Sequence, residues 1–272
     1  MPTALFERYN AALAEVGASL VSKDVVNPLW EAERPALPDT PCFLLSREQT
    51  GSSPAEKLTA VRAELKKAGA TALAVTQLDC VAWLLDLRAH DIPCSPMAIS
   101  YAFVTMDRCV LFLAEGRLDA DDADVLRANG VELRDYNALL DFVHTLDSDE
   151  TVLVEKSSTN YDLYAAMQAN PHLTLKDGAD PVTALKGVKN PTELANLKEC
   201  HIRDGVAMVR FQMDLEKALA EGKSLRECDI DTMLHRRRAE QPGFDQESFF
   251  TIAAYGPNAA MMHYTAKPGA DS

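Results

Sequence analysis

Long apolar runs are missing from this 272-residue chain. No stretch approaches the roughly 18 consecutive apolar residues of a membrane-spanning helix. The opening, Met1-Pro2-Thr3-Ala4-Leu5-Phe6-Glu7, lacks the basic-then-apolar order of a secretory leader. Cysteine is sparse: Cys42, Cys80, Cys94, Cys109, Cys200 and Cys228 stand singly, with no CxxC pair and no histidine at zinc-site spacing. This excludes a disulfide framework, and the six read as reduced, mostly buried thiols, a lone nucleophilic cysteine being the weaker alternative. Basic residues are in deficit, 27 against 41 acids for a formal charge of −14, so the field repels polyanions and argues against a nucleic-acid partner. The expectation is a cytoplasmic protein with neither membrane nor nucleic acid as partner. Several signatures are absent as well: no G-x-S-x-G elbow, no P-loop and no GxGxxG. Among His90, His144, His172, His201, His235 and His263, no two are spaced as helical metal ligands.

What the sequence does contain is punctuation. A first helix is expected within the opening 20 residues, with Phe6, Tyr9, Leu13 and Val16 on one face; too small to form a core, it must pack on later elements or on another domain. Pro28, Pro35, Pro38 and Pro41 then mark a linker, with a boundary near residue 45. From there to about 180, short apolar strands alternate with amphipathic helices, the pattern of an α/β layered domain. Ser53-Pro54-Ala55-Glu56 is a cap, a first-position proline and a third-position acid. Strands are expected at 72–75, 100–104, 109–113, 152–155 and 172–176, with a hairpin through Met106-Asp107-Arg108, and helices at 119–129, 136–146 and 160–169. After Asp177-Gly178-Ala179-Asp180-Pro181 the signals turn helical. Asn190-Pro191-Thr192-Glu193 opens a helix to about 220, with Leu194, Leu197, Ile202, Val206, Val209 and Met213 as its buried stripe. Ser224-Leu225-Arg226-Glu227 reads as a second capping box, and Phe249-Phe250-Thr251-Ile252-Ala253-Ala254 as a strand.

Candidate chemistry is thin. Asp119, Asp121, Asp122 and Asp124 suit a hard cation but lack the rest of a calcium loop, so a helix first turn is the better account. Asp79, Asp86, His90 and Asp91 surround a helix end, where an Arg88–Asp pair is expected. Arg236-Arg237-Arg238 reads as a solvated last turn, an anion clamp being the alternative. His201, within the long helix, suits a core-edge or interhelical contact rather than catalysis. His263 follows the Gly256-Pro257-Asn258 turn, and spacing alone favours a structural role for it.

Three segments together carry a resemblance. The first is Val25-Val26-Asn27-Pro28-Leu29-Trp30 with Arg34-Pro35. The second is Trp83-Leu84-Leu85-Asp86-Leu87-Arg88, then Asp91-Ile92-Pro93-Cys94-Ser95-Pro96 and Ser100-Tyr101-Ala102. The third runs from Lys186-Gly187-Val188-Lys189-Asn190-Pro191-Thr192-Glu193 through Cys200-His201-Ile202-Arg203-Asp204-Gly205 to Tyr255-Gly256-Pro257-Asn258-Ala259-Ala260-Met261-Met262-His263-Tyr264. In this order they resemble the three-domain eukaryotic-type Xaa-Pro aminopeptidases of the creatinase-like, pita-bread metallohydrolase family.

The resemblance implies that residues 1–45 end a first domain and lead into a linker. Residues 46–180 would form a ribonuclease-H-like α/β middle domain without nuclease chemistry, and residues 181–272 the first part of an α+β pita-bread catalytic domain. It further implies hydrolysis of the bond between an N-terminal residue and a following proline, assisted by two divalent metal ions, manganese or zinc. The ligands, two Asp, one His and two Glu, are expected to follow the His263-Tyr264 segment, so the 272-residue chain alone is expected to be inactive. Of the family's site residues only His263 transfers, as a substrate-binding residue at the proline pocket. Proline-containing peptides as substrates and a homodimer are the implied partners. A non-catalytic binding module, a prolidase and an amidinohydrolase are the alternatives.

Overall fold

Small polar caps set many of the helix starts in the computed structural model, which describes residues 1–272, position 31 by its backbone alone. The elements run α1 (Thr3–Ala14), α2 (Asn27–Trp30), β1 (Phe43–Leu44), α3 (Arg47–Thr50), α4 (Pro54–Lys67), β2 (Ala72–Val75), α5 (Leu78–Leu84), β3 (Leu87–Arg88), β4 (Ser100–Thr105) and β5 (Cys109–Leu113). They continue with α6 (Ala120–Ala128), β6 (Val131–Arg134), α7 (Leu139–Thr145), β7 (Glu150–Val154), α8 (Tyr161–Ala169), β8 (Leu173–Asp177), α9 (Pro181–Gly187), α10 (Pro191–Ala220) and α11 (Glu227–Ala239). Ser53 and Glu56 form the expected capping box of α4, and Asn190 and Glu193 that of α10. Asp119 caps α6 by accepting the Asp122 amide, and the acids beside it fill the first turn, where the helix dipole favours them.

The chain forms two compact units, Met1–Ile92 with Pro96–Lys189, and Pro93–Ser95 with Asn190–Ser272. In the first, six strands lie in the order β6-β5-β4-β2-β7-β8, all parallel except β4. Because side chains alternate across a strand, each of the four inner strands β5, β4, β2 and β7 serves two cores. Leu73, Val75, Val104, Leu111 and Val131 meet Leu58, Val61 and Leu65 of α4 and Val81 and Leu84 of α5 on one face. Phe103, Val110, Phe112, Val152 and Val154 meet Phe142 of α7 and Leu163 and Met167 of α8 on the other. Burial on both faces explains why β2 and β5 are unbroken apolar runs. Helix α1 packs on later elements: Phe6 stacks on Tyr161 at 3.4 Å, and the Thr3 amide and hydroxyl both donate to the Thr159 carbonyl. Of its expected face, Phe6 is buried while Tyr9 and Val16 are exposed.

Several expectations are corrected. In the second unit, the stripe of α10 is not buried: Leu194, Leu197, Ile202, Val206, Val209 and Met213 are between 40% and 64% exposed. The buried apolar side chains among the described residues of this unit are Ala207, Phe211 and Ala218 of α10 and Leu234 of α11. The cap of α11 lies two residues later than expected, at Arg226, whose amide donates to Asp229 at 2.8 Å. Residues 249–254 form no strand; no neighbouring strand among the described residues of this unit supplies the ladder hydrogen bonds a strand requires. Strand β6, the two-residue pair β1–β3 and helix α9 lie outside the sequence expectation; β6 alternates Val131 and Leu133 with Glu132 and Arg134 and so is no apolar run.

Candidate functional site

The segment that carries His263 is organised by a carboxylate on α11. Glu227, the first residue of that helix, is 3% exposed. Its Oε1 accepts the Tyr255 amide at 2.6 Å, and its Oε2 accepts the Tyr264 hydroxyl at 2.7 Å and the Ser272 amide at 3.0 Å. The Asn258 side-chain amide donates to both oxygens, at 3.2 and 3.0 Å. Burial alone would raise this carboxyl's pKa. The hydrogen bonds from Ser272, Tyr264, Tyr255 and Asn258 outweigh that and hold it down at about 2. The Tyr264 phenol, donating to this charge, is pushed up to about 12.

Gly256–Ala260 form a 3₁₀ turn, at the Gly256-Pro257-Asn258 turn expected from the sequence. Gly256 and His263 both have positive φ, 56° and 55°, in a left-handed region that glycine enters freely and histidine does not. The His263 imidazole is exposed and hydrogen-bonds no described residue, which leaves its two nitrogens open. Sequence reasoning reads Glu227 only as a capping acid. Its partners lie 28 to 45 residues further on, so no local pattern marks it.

The other candidates are structural. Asp86 pairs with buried Lys57 rather than Arg88, whose guanidinium donates to the Ala82 carbonyl at 2.6 Å. Asp91 holds Arg117 through two bonds of 2.7 and 2.8 Å, and Asp79 pairs with Lys186. Arg237 and Arg238 are not a solvated turn: they clamp Asp214 at 2.6 Å and Asp204 at 2.8 Å on α10, with Glu240 and Glu247 completing the network. His201 is exposed. Cys42, Cys80 and Cys109 are buried, and burial pushes their thiols up, Cys42 to about 11 and Cys109 to about 12, which leaves them unreactive; Cys200 is exposed.

Among the described residues, no group of three or more His, Cys, Asp or Glu side chains is placed to hold a metal ion, and no helix is long and apolar enough to cross a membrane. A dimetal centre therefore does not fit the side chains this chain brings together.

The sequence pattern of the Creatinase/Prolidase N-terminal domain matches residues 33–193. The chain belongs to the creatinase/prolidase family. The pattern of metallopeptidase family M24 follows over residues 195–271, which places Glu227 and His263 in the metallopeptidase part. A probable Xaa-Pro aminopeptidase P from Sordaria macrospora is 34% identical over 99% of this chain and 46% of its own length. Another from Coprinopsis cinerea is 37% identical over 90% of this chain and 41% of its own length. The crystal structure of the X-prolyl aminopeptidase from Caenorhabditis elegans, described as a cytosolic enzyme with a di-nuclear active site, superposes with a TM-score of 0.89 at 28% identity, covering 99% of this chain and 45% of that one. The chain thus spans a little under half the length of the relatives it matches. Its fold is that of the creatinase N-terminal domain joined to part of a pita-bread M24 domain.

Proposed function

We propose that the whole protein is a metal-dependent aminopeptidase that hydrolyses the bond between an N-terminal residue and a following proline. One observation carries the reading: both family patterns follow one another along nearly the whole chain, and relatives described as probable Xaa-Pro aminopeptidases P match 90% or more of it. Two divalent ions, manganese or zinc, would bind water and polarise the scissile carbonyl in such an enzyme. No catalytic step is assigned to residues 1–272, because their potential ligands are not gathered. This chain's contribution is substrate binding by His263, whose open imidazole would hydrogen-bond the peptide at the proline pocket. Residues 46–180 serve as the middle domain and residues 181–272 as the start of the catalytic domain. A cytoplasmic homodimer belongs to the same reading, its location supported by the cytosolic relative.

The test is cleavage of Arg-Pro-Pro. The whole protein with manganese is expected to release arginine and to leave Arg-Ala-Pro intact, whereas the 272-residue chain cleaves neither. Cleavage indifferent to proline would overturn the substrate, and turnover by the 272-residue chain would overturn the division of labour.

A further inference from the structure

A carboxylate offers about four lone-pair positions, and Glu227 fills them with donors from four residues: Tyr255, Asn258, Tyr264 and Ser272. Two of these, Asn258 and Tyr264, bracket His263, and they also bond to each other at 3.1 Å. Between them the backbone passes through the left-handed conformation at His263, which a non-glycine residue keeps only when its surroundings hold it there. His263 itself contributes no hydrogen bond to a described residue, so its placement depends on its neighbours. The carboxylate sits on the first turn of a 13-residue helix, and the helix is in turn fixed to α10 by the Arg237 and Arg238 ion pairs. A helix therefore reaches across to a segment whose regular structure is a single 3₁₀ turn.

We propose that Glu227 is a positioning residue: by clamping Asn258 and Tyr264 it fixes the backbone that presents the His263 imidazole to a peptide substrate. The inference rests on the reading of His263 as a substrate-binding residue, while the clamp can be measured without it. Glu227→Gln keeps the shape and replaces one acceptor oxygen by a donor, so the Tyr264 hydroxyl loses its charged partner. Asp271 and Cys228 also lie near that phenol and are unchanged by the substitution.

Three readouts decide the question. In the 272-residue chain, ring-labelled tyrosine followed by NMR, with Tyr264→Phe to assign the signal, is expected to show the Tyr264 phenol falling from about 12 towards the ordinary value near 10 in Glu227→Gln. Amide exchange over residues 255–264 is expected to speed up roughly tenfold, and the His263 ring resonance to move, in both Glu227→Gln and Tyr264→Phe, while far-UV circular dichroism stays unchanged. In the whole protein, Glu227→Gln is expected to raise KM for Arg-Pro-Pro about tenfold with a smaller effect on kcat, and Glu227→Asp to recover part of it. An unshifted Tyr264 with native dichroism overturns the clamp. A broken clamp with unchanged KM overturns the positioning role. A wild-type protein that cleaves nothing overturns the aminopeptidase reading and leaves the first two readouts to judge the clamp.

Discussion

Asp180 caps α9: its Oδ1 accepts the Val182 amide at 2.8 Å, and its own amide donates to Glu155 at 3.3 Å. It is 5% exposed. Burial raises its pKa most, the Val182 bond lowers it, the Glu155 charge raises it again, and the outcome is about 6. A carboxyl whose folded pKa lies above its unfolded one binds more protons when folded, so its stabilising contribution is complete below about 4 and is lost as pH rises through 6. The rise from the ordinary carboxyl value to about 6 corresponds to about 2 to 3 kcal/mol. Asn is as good an N-cap as Asp and carries no charge. Asp180→Asn is therefore expected to abolish that part of the decline in stability between about pH 4 and 6, and to unfold at higher urea than the native chain at neutral pH; parallel pH profiles for the two chains would refute it. In the sequence, Asp180 is legible as turn punctuation before Pro181, but its buried state is not, since Glu155 and Lys186 reach it only through the fold. Glu227 is the same case more strongly: an acid at a helix start is visible, and the downstream donors that make it a clamp are not.

At the scale of elements, legibility follows chemistry that is local. The caps at Ser53 and Asn190 and the apolar strands β2, β4 and β5 read directly, because side chain and backbone partners lie within a few residues or both sheet faces are buried. Amphipathic spacing in α10 also reads correctly as a helix, yet it says only that one face is apolar, and in this chain that face is exposed. The packing predicts a division along one helix. Ile202→Glu, at 62% exposure, is expected to change the unfolding free energy by less than about 0.5 kcal/mol, as for other exposed substitutions. Phe211→Ala, at 8% exposure on the same helix, is expected to cost about 3 kcal/mol. Urea denaturation of the two variants checks both, and a large cost at Ile202 would mean that the apolar face is covered in solution. Residues 249–254 fail to become a strand for the complementary reason: apolar content and β propensity do not supply a neighbour to bond to.

The two units differ in how much core they own. Both hydrophobic clusters among the described residues, from Cys42 to Val182, lie within residues 1–189, and they line both faces of one six-stranded sheet. The second unit buries four apolar side chains among its described residues, two of them alanines, and ties α11 to α10 largely by arginine–carboxylate pairs that are partly exposed, a kind of contact that contributes little where water screens it. Apolar burial dominates folding free energy, so stability is concentrated in the first unit. Residues 1–189 expressed alone are accordingly expected to give a single cooperative transition by calorimetry, with the calorimetric and van't Hoff enthalpies agreeing. Residues 190–272 expressed alone are expected to retain helix by circular dichroism, yet to melt over a broad range without a heat-absorption peak. A sharp peak from the shorter piece would show that the arginine network and the Glu227 clamp carry more cooperativity than their exposure allows. If residues 1–189 fail to fold, the separation of the chain into an independently stable α/β unit and a dependent helical one is wrong.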